Sequence, residues 1–111
     1  MAVLERLTEG WTAELAAFTC KLDDVAQSLD GITIELVLRD NQDRRVTVTG
    51  TTRKDVDQTG GGKGKVYYKP GASDLKKRLS PYRIRWKATD GAGDVVYYPD
   101  GEPDTIEVFE P

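Results

Sequence analysis

The strongest constraint on this chain is a two-residue alternation of apolar and other side chains that recurs in short segments along its length. In segment 32–39 every second residue is Ile or Leu, and in segment 82–89 every second residue is Tyr, Ile, Trp or Ala. Successive side chains of a β-strand point to opposite faces, whereas a helix repeats about every 3.6 residues. The pattern therefore predicts strands that bury one face. The opposite face of 82–89 consists of Arg83, Arg85, Lys87 and Thr89.

The remaining strands are predicted from shorter β-branched and aromatic runs. The predicted strands are 15–22, 32–39, 46–48, 66–68, 82–89, 95–98 and 105–109. Asp, Asn, Gly and Pro concentrate between them, as in 28–31, 40–43 and 90–94, and these residues favour tight turns. About seven short strands with a turn roughly every 8–12 residues predict an all-β, immunoglobulin-like antiparallel β-sandwich. A small β-barrel is the alternative.

The 111 residues are predicted to form a single domain, 1–111, because this length suffices for one hydrophobic core. Residues 1–11 precede the first predicted strand and are interpreted as an N-terminal extension. Residues 50–65 are polar and end in a glycine-rich run, so we expect a flexible loop there. Segment 73–79 predicts one helical turn capped by Ser73.

Composition and charge exclude several classes of function. The 16 basic and 19 acidic residues give a formal charge of −3 and are dispersed along the chain, so we expect no nucleic-acid partner. Histidine is absent and Cys20 is the only cysteine. This excludes an internal disulfide and removes the commonest metal ligand and general base. No stretch approaches the roughly 20 apolar residues that span a bilayer, so we expect no membrane partner.

Three features invite a chemical interpretation, and each has a simpler explanation. The glycines at 60–64 enclose one residue too few for a phosphate-binding loop, and Val66 stands where Ser or Thr binds magnesium. Acidic pairs such as Asp90 and Asp94 do not match a calcium-binding loop and suit turns. Cys20 lacks an activating base and is assigned to the core. We therefore predict no catalytic residue, no metal or cofactor site and no small-molecule substrate.

A row of cations on the outer face of segment 82–89 is the first candidate for a protein contact. It consists of Arg83, Arg85 and Lys87, and Lys76, Lys77 and Arg78 lie just upstream. The row is interpreted either as an interface or as a solvated face whose cations pair across strands with carboxylates such as Glu35 or Glu107.

The N-terminal segment is the second candidate. Val3, Leu4, Leu7 and Trp11 recur at helix-like spacing. These side chains either cover one end of the core or project from it as an apolar patch, in which Trp11 is a typical interface residue. The complete candidate interface is therefore Leu4, Leu7, Trp11, Arg83, Arg85 and Lys87.

Six segments carry a resemblance to a known family. They are EGWTA at 9–13, TCKLDD at 19–24, LDGITIELVLR at 29–39, GKVYYKP at 64–70, SPYRIRWKATD at 80–90 and YYP at 97–99. In this order they resemble the N-terminal domain of phage baseplate upper proteins, whose strands form a β-sandwich. The similarity extends over residues 8–109.

The resemblance implies a non-enzymatic virion building block that packs against other tail or baseplate subunits and carries no catalytic residues. Because the sequence ends at Pro111, without the helical linker and further domains of that family, we expect a stand-alone tail, neck or baseplate component. Its expected partners are other virion structural proteins and further copies of itself, and its expected location is the virion, assembled in the bacterial cytoplasm.

Two other classes of function stay open at this point. A carbohydrate-binding or adhesion module would use Trp11, Tyr67 or Tyr97 as stacking platforms for sugar rings. A small hydrolase using paired carboxylates would require a deep pocket lined by two of them.

Overall fold

The computed structural model describes residues 3–111, with side chains from residue 5 onward. Its strands are β1 Val3–Thr8, β2 Phe18–Thr19, β3 Lys21–Leu22, β4 Val25–Ala26, β5 Thr33–Arg39, β6 Thr51–Lys54, β7 Lys65–Lys69, β8 Tyr82–Thr89, β9 Val95–Tyr98 and β10 Asp104–Phe109. A single turn of 3-10 helix lies at Lys77–Leu79. The part of the chain that the structure describes is therefore all-β, as predicted. It holds no helix that is long and apolar enough to cross a bilayer.

The strands form two main sheets. The larger has the order β1-β10-β8-β5, and β9 also pairs with β8; the smaller has the order β2-β7-β6. The two short strands β3 and β4 form a separate hairpin. Strand β1 is parallel to β10, and the other pairs are antiparallel. The pairing of β2, β7 and β6 in one sheet and of β5, β8 and β10 in the other is that of an immunoglobulin-like sandwich.

The core lies between the inner faces of the two sheets. All four alternate residues of β8 from Tyr82 to Ala88 are buried, and Leu36 and Leu38 of β5 are buried beside them. The alternation in the predicted strands 32–39 and 82–89 is therefore confirmed, because the residues predicted to face inward are the more buried ones at successive positions. Cys20 is fully buried in this core, and burial raises the pKa of its thiol to about 12.

Two polar side chains hold the crossing from β7 to β8. The hydroxyl of the fully buried Tyr82 accepts a hydrogen bond from the Lys76 backbone N–H at 2.8 Å. This contact is the tyrosine corner of immunoglobulin-like folds, in which a Tyr at the start of this strand bonds the chain a few residues upstream. The second side chain, Asp74, is only 2% exposed.

The Asp74 carboxylate accepts five hydrogen bonds. Its donors are the Thr49 N–H and hydroxyl, the Gly50 N–H, the Tyr68 hydroxyl and the Gly71 N–H, at 2.6 to 2.9 Å. Burial by itself raises the pKa of this carboxyl, but the hydrogen bonds outweigh burial and lower the pKa to about 2. Asp74 thus joins the segment before β6 to the crossing after β7.

The predicted flexible loop at 50–65 is wrong in part. Residues 51–54 form β6, which pairs with β7. The rest of the loop closes around Gln58, which is buried. Its side-chain oxygen accepts from Leu29 and Gly64 N–H, and its amide donates to the Asp55 and Gly62 carbonyls. One buried amide therefore supplies the partners that regular structure would otherwise provide.

The helix-like spacing in the N-terminal extension is also misleading. Residues 3–8 form β1, which extends the larger sheet beside β10. Leu7 is 4% exposed and belongs to the core. Leu7 thus fits the interpretation in which this segment covers one end of the core and does not project from it. The side chain of Leu4 lies outside the described residues.

Three smaller predictions are corrected. Residues 46–48 are not a strand, although the Val46 N–H donates to the Leu38 carbonyl. The turn at 77–79 is 3-10 helix without a side-chain cap, so Ser73 does not cap it. The predicted strand 15–22 is divided into β2 and β3, because the chain changes partner at Cys20, whose N–H donates to the Gly64 carbonyl and whose carbonyl accepts from the Gln27 N–H.

We expect Tyr82→Phe to lower the free energy of unfolding by about 1–3 kcal/mol, because the Lys76 N–H loses its acceptor in a partly buried site. Urea unfolding measures this change. The matched control is Tyr97→Phe in the exposed part of β9, which we expect to alter stability by less than about 0.5 kcal/mol. Equal effects of the two variants would contradict a role for the corner.

Asp74 is expected to make the fold acid-sensitive. Because the pKa of about 2 lies below the ordinary 3.8, its contribution is present above about pH 4 and is lost as the pH falls toward 2. The difference corresponds to about 2 kcal/mol of unfolding free energy. Carboxyl carbon NMR titration measures the pKa directly, and Asp74→Asn should remove this part of the pH dependence. An Asp74 pKa near 4 would contradict the stabilisation of the charged carboxylate by its hydrogen bonds.

Candidate functional site

A cavity of about 540 Å³ opens on the outer face of the larger sheet. We call it the arginine cavity; it is lined by Val37, Arg39, Asp43, Arg83, Ile84, Arg85, Glu102 and Pro103. The two-residue period of β5 and β8 directs their arginines away from the core. Register then brings them together, because Val37 pairs with Arg85 and Arg39 pairs with Arg83.

The cross-strand pair of Arg39 and Arg83 places two positive charges directly opposite each other, an arrangement that destabilises a sheet. One residue, Asp43, contacts both. Its carboxylate lies 3.4 Å from Arg83 Nη1, and its backbone carbonyl accepts from Arg39 Nη1 at 3.1 Å. Asp43 sits in the turn after β5, where its backbone is left-handed with φ of 61°. The turn thus brings a carboxylate to Arg83 and a backbone carbonyl to Arg39.

Arg85 is the third arginine of the cavity. It is half-buried, and its Nη2 donates to the Gly101 carbonyl. Its Nε is buried and has no hydrogen-bond partner among the described residues. A buried donor without a partner costs free energy, and the cost is larger when the group is charged. The lining of three arginines and two carboxylates leaves a local formal charge of +1.

The carboxylates expected to neutralise the outer face have other partners. Glu35 stands opposite Lys87 in the ladder, yet its carboxylate lies 2.8 Å from Arg45 Nη2. Glu107 lies 3.6 Å from Arg6 Nε. The prediction that these two carboxylates pair with the row of cations is therefore wrong.

Arg39 is the arginine of this site that was not predicted from the sequence. It is the last residue of the clearest predicted strand, and its odd position places it outward with Val37 and opposite Arg83. The parity was readable from the sequence. The register that puts Arg39 against Arg83 was not, because it depends on the pairing of two distant segments.

Of the predicted N-terminal residues whose side chains the structure describes, Leu7 and Trp11 do not line the arginine cavity. Trp11 is 37% exposed, and its indole N–H donates to the Ala13 carbonyl at 3.0 Å. It follows β1, whose last residue Thr8 pairs with Phe109 at the end of β10. Leu7 is buried and is therefore excluded from an exposed contact surface.

Strand β9 presents a second surface that the sequence analysis did not single out. Val95, Val96 and Tyr97 are all exposed, although they follow one another in a strand. Exposure on both faces means that β9 extends past the packed layers, and within the described residues it pairs with β8 alone. Such an edge offers unpaired backbone groups to another chain.

The aromatic residues proposed as sugar platforms are not grouped. Tyr67 has the Arg53 guanidinium 3.9 Å from its ring centre, and its hydroxyl donates to Asp55 at 2.7 Å. Tyr97 lies beside Lys87 near one end of the larger sheet, whereas Trp11 lies beyond the opposite end. The Tyr67 ring is thus covered on one face, and the Tyr97 and Trp11 rings lie too far apart to form one platform.

The chemistry that the arginine cavity suits is the recognition of a carboxylate or a similar anion. Guanidinium groups present a planar fork of donors that fits such groups, and they keep their charge at all ordinary pH values. The apolar parts of Val37 and Pro103 add a wall against which a small aliphatic group can pack. Among the described residues, no group of three or more acidic, Cys or His side chains is placed to hold a metal ion.

Comparisons of the chain with protein-family models, with curated proteins and with solved structures give no match. The likeness to phage baseplate domains therefore rests on the segments quoted above.

We expect Arg39→Gln to change the free energy of unfolding by no more than about 0.5 kcal/mol, and to stabilise the fold at low salt, because it removes the repulsion from Arg83. Denaturant unfolding at about 0.01 M and 1 M salt measures the effect, which should vanish at the higher concentration. The control Leu38→Ala, in the core of the same strand, should cost about 2–5 kcal/mol. A loss above about 1 kcal/mol for Arg39→Gln would mean that Arg39 serves stability.

Proposed function

We propose that this protein is a non-enzymatic structural component of a phage or prophage particle, in the tail, neck or baseplate. It acts through protein contacts made by the outer face and edge of its larger sheet. The sequence resemblance suggests the kind of particle, and the surface of the sandwich suggests the means of contact.

The observation that carries the proposal is the arginine cavity. Arg39 and Arg83 repel each other across the ladder, share Asp43, and lie beside the unpaired Arg85 Nε. Neutral residues at the two outward positions would remove the repulsion. A carboxylate from a partner protein would instead relieve the repulsion, and some close charge pairs at interfaces are clearly favourable.

The composition of the surface around the cavity favours a protein partner. Arginine and tyrosine are enriched at the energetic centres of protein interfaces. The exposed β9 residues Val95, Val96 and Tyr97 supply apolar area on the same sheet, together with a strand edge. This combination suits docking of a folded subunit or a strand better than capture of a sugar, for which the aromatic residues are too far apart.

The proposal is tested in the bacterium that encodes the chain. Particles are induced, banded by density and analysed by quantitative mass spectrometry. We expect the chain to be present at a fixed number of copies per particle, and deletion of its gene to leave particles incomplete and non-infectious.

Complementation of the deletion links this result to the cavity. Arg83→Glu should fail to enter particles, because it turns the centre of the cavity acidic. Lys69→Glu, the same change of charge at an exposed position at the end of β7, should complement normally. Absence of the chain from purified particles, with normal particles made without it, would refute the proposal.

A further inference from the structure

The two ends of the sandwich carry opposite charge. One end, which we call the acidic end, consists of segments 23–31, 55–64 and 90–94 and holds seven aspartates and one lysine, a formal charge of −6. Lys21 contacts Asp24 and Lys54 donates to the Leu29 carbonyl, which together reduce the charge of this end to −4. These segments meet in space. Gln58 binds the N–H groups of Leu29 and Gly64, and the turn at 90–94 follows Thr89, which pairs with Thr33 at the start of β5.

The basic end lies at the other ends of β5 and β8. It consists of segments 39–45 and 70–83, with seven basic residues and three aspartates, a formal charge of +4. Asn41 joins the two segments by donating to the carbonyls of Arg78 and Ser80. Glu9 and Glu110 contact Lys77 and reduce the charge of this end to +2. The arginine cavity opens at this end.

The acidic end carries a tip whose chemistry matches the cavity. Val56 is 97% exposed and stands between Asp55 and Asp57. Asp57 Oδ1 and both oxygens of Asp55 already accept hydrogen bonds within the protein. These bonds fix the shape of the tip, and each carboxylate keeps further lone pairs for an arginine fork.

We propose that the occupant of the arginine cavity is the acidic end of a second copy of this chain, with the tip at Asp55–Asp57 entering the cavity. This inference rests on the proposed function, which it deepens by naming the partner. The two carboxylates of the tip meet Arg39, Arg83 and Arg85, and Val56 packs against the apolar wall. The volume of about 540 Å³ is within the range that accommodates a group of this size.

The geometry of such a contact determines the kind of assembly. The contact joins two different surfaces, so each added copy still presents a free acidic end and a free cavity. A heterologous contact of this kind closes into a ring when the rotation between copies allows it and otherwise propagates as an open stack. Both forms are built from repeated copies of one small module.

The test uses two variants that block opposite surfaces. Arg83→Glu blocks the cavity, and because the new carboxylate faces Arg39 it should be tolerated by the fold. Val56→Lys blocks the tip at a side chain that is almost fully exposed. Circular dichroism confirms that each variant folds, and Lys69→Glu, at an exposed position of the smaller sheet outside both ends, controls for the change in net charge.

Sedimentation velocity is measured over a tenfold concentration range at about 0.1 M and 1 M sodium chloride, between which the Debye length falls from about 10 to 3 Å. The wild-type protein and Lys69→Glu should associate at the lower salt and dissociate at the higher. Each blocking variant alone should associate at least about tenfold more weakly. An equimolar mixture of the two should form a 1:1 dimer that grows no further, because only one intact cavity and one intact tip can meet.

Two results would overturn the inference. The first is a wild-type protein that stays monomeric at low salt throughout the range. The second is self-association that neither variant weakens, which would place the contact elsewhere. In both cases the proposed function stands or falls separately, on whether the chain and its Arg83→Glu variant enter particles.

Discussion

The buried carboxylate of Asp74 is the constraint on which the geometry of this sandwich most depends. It ties Thr49 and Gly50, before β6, to Gly71, where the chain leaves the smaller sheet. A few residues later Tyr82 fixes the start of β8 through its bond to the same crossing. The position at which β8 begins decides which of its residues point outward. The arginines of the cavity are thus held in place by polar contacts that lie inside the fold and do not touch the cavity.

The strands that could be predicted from the sequence are those in which each side chain, apolar or polar, indicates by itself which face of the sheet it occupies. In β8, every inward position is apolar and every outward position is polar, so strand, face and burial could be read together. The strand β6 could not, because its residues Thr51 to Lys54 are polar and mostly exposed and gain their structure from pairing with β7. Likewise, the loop after β6 is closed by one amide, Gln58, which bonds Asp55, Gly62 and Gly64 within the loop and Leu29, which is remote in sequence.

The candidate site likewise has a part that could be predicted from the sequence and a part that could not. The outward row on β8 was predicted from parity, and two of its members, Arg83 and Arg85, line the cavity. The third, Lys87, is further along the strand beside Tyr97. The contribution of Arg39 was not predicted. The two carboxylates that were predicted to pair with the row, Glu107 and Glu35, instead contact Arg6 and Arg45. Such pairings depend on register between strands, and a single sequence contains no direct signal for register.

The distribution of charge explains why a fold of this kind can keep an unfavourable pair of arginines. Stability comes from the buried residues between the sheets and from fully satisfied polar groups such as Asp74, whereas a like-charge pair on the outer face costs only about 0.2–1 kcal/mol. That cost is small beside the several kcal/mol by which like charges disfavour a wrong partner or orientation at an interface. Charge separated between two ends therefore contributes little to the fold of one copy, but in the proposed contact it would favour one orientation of a second copy.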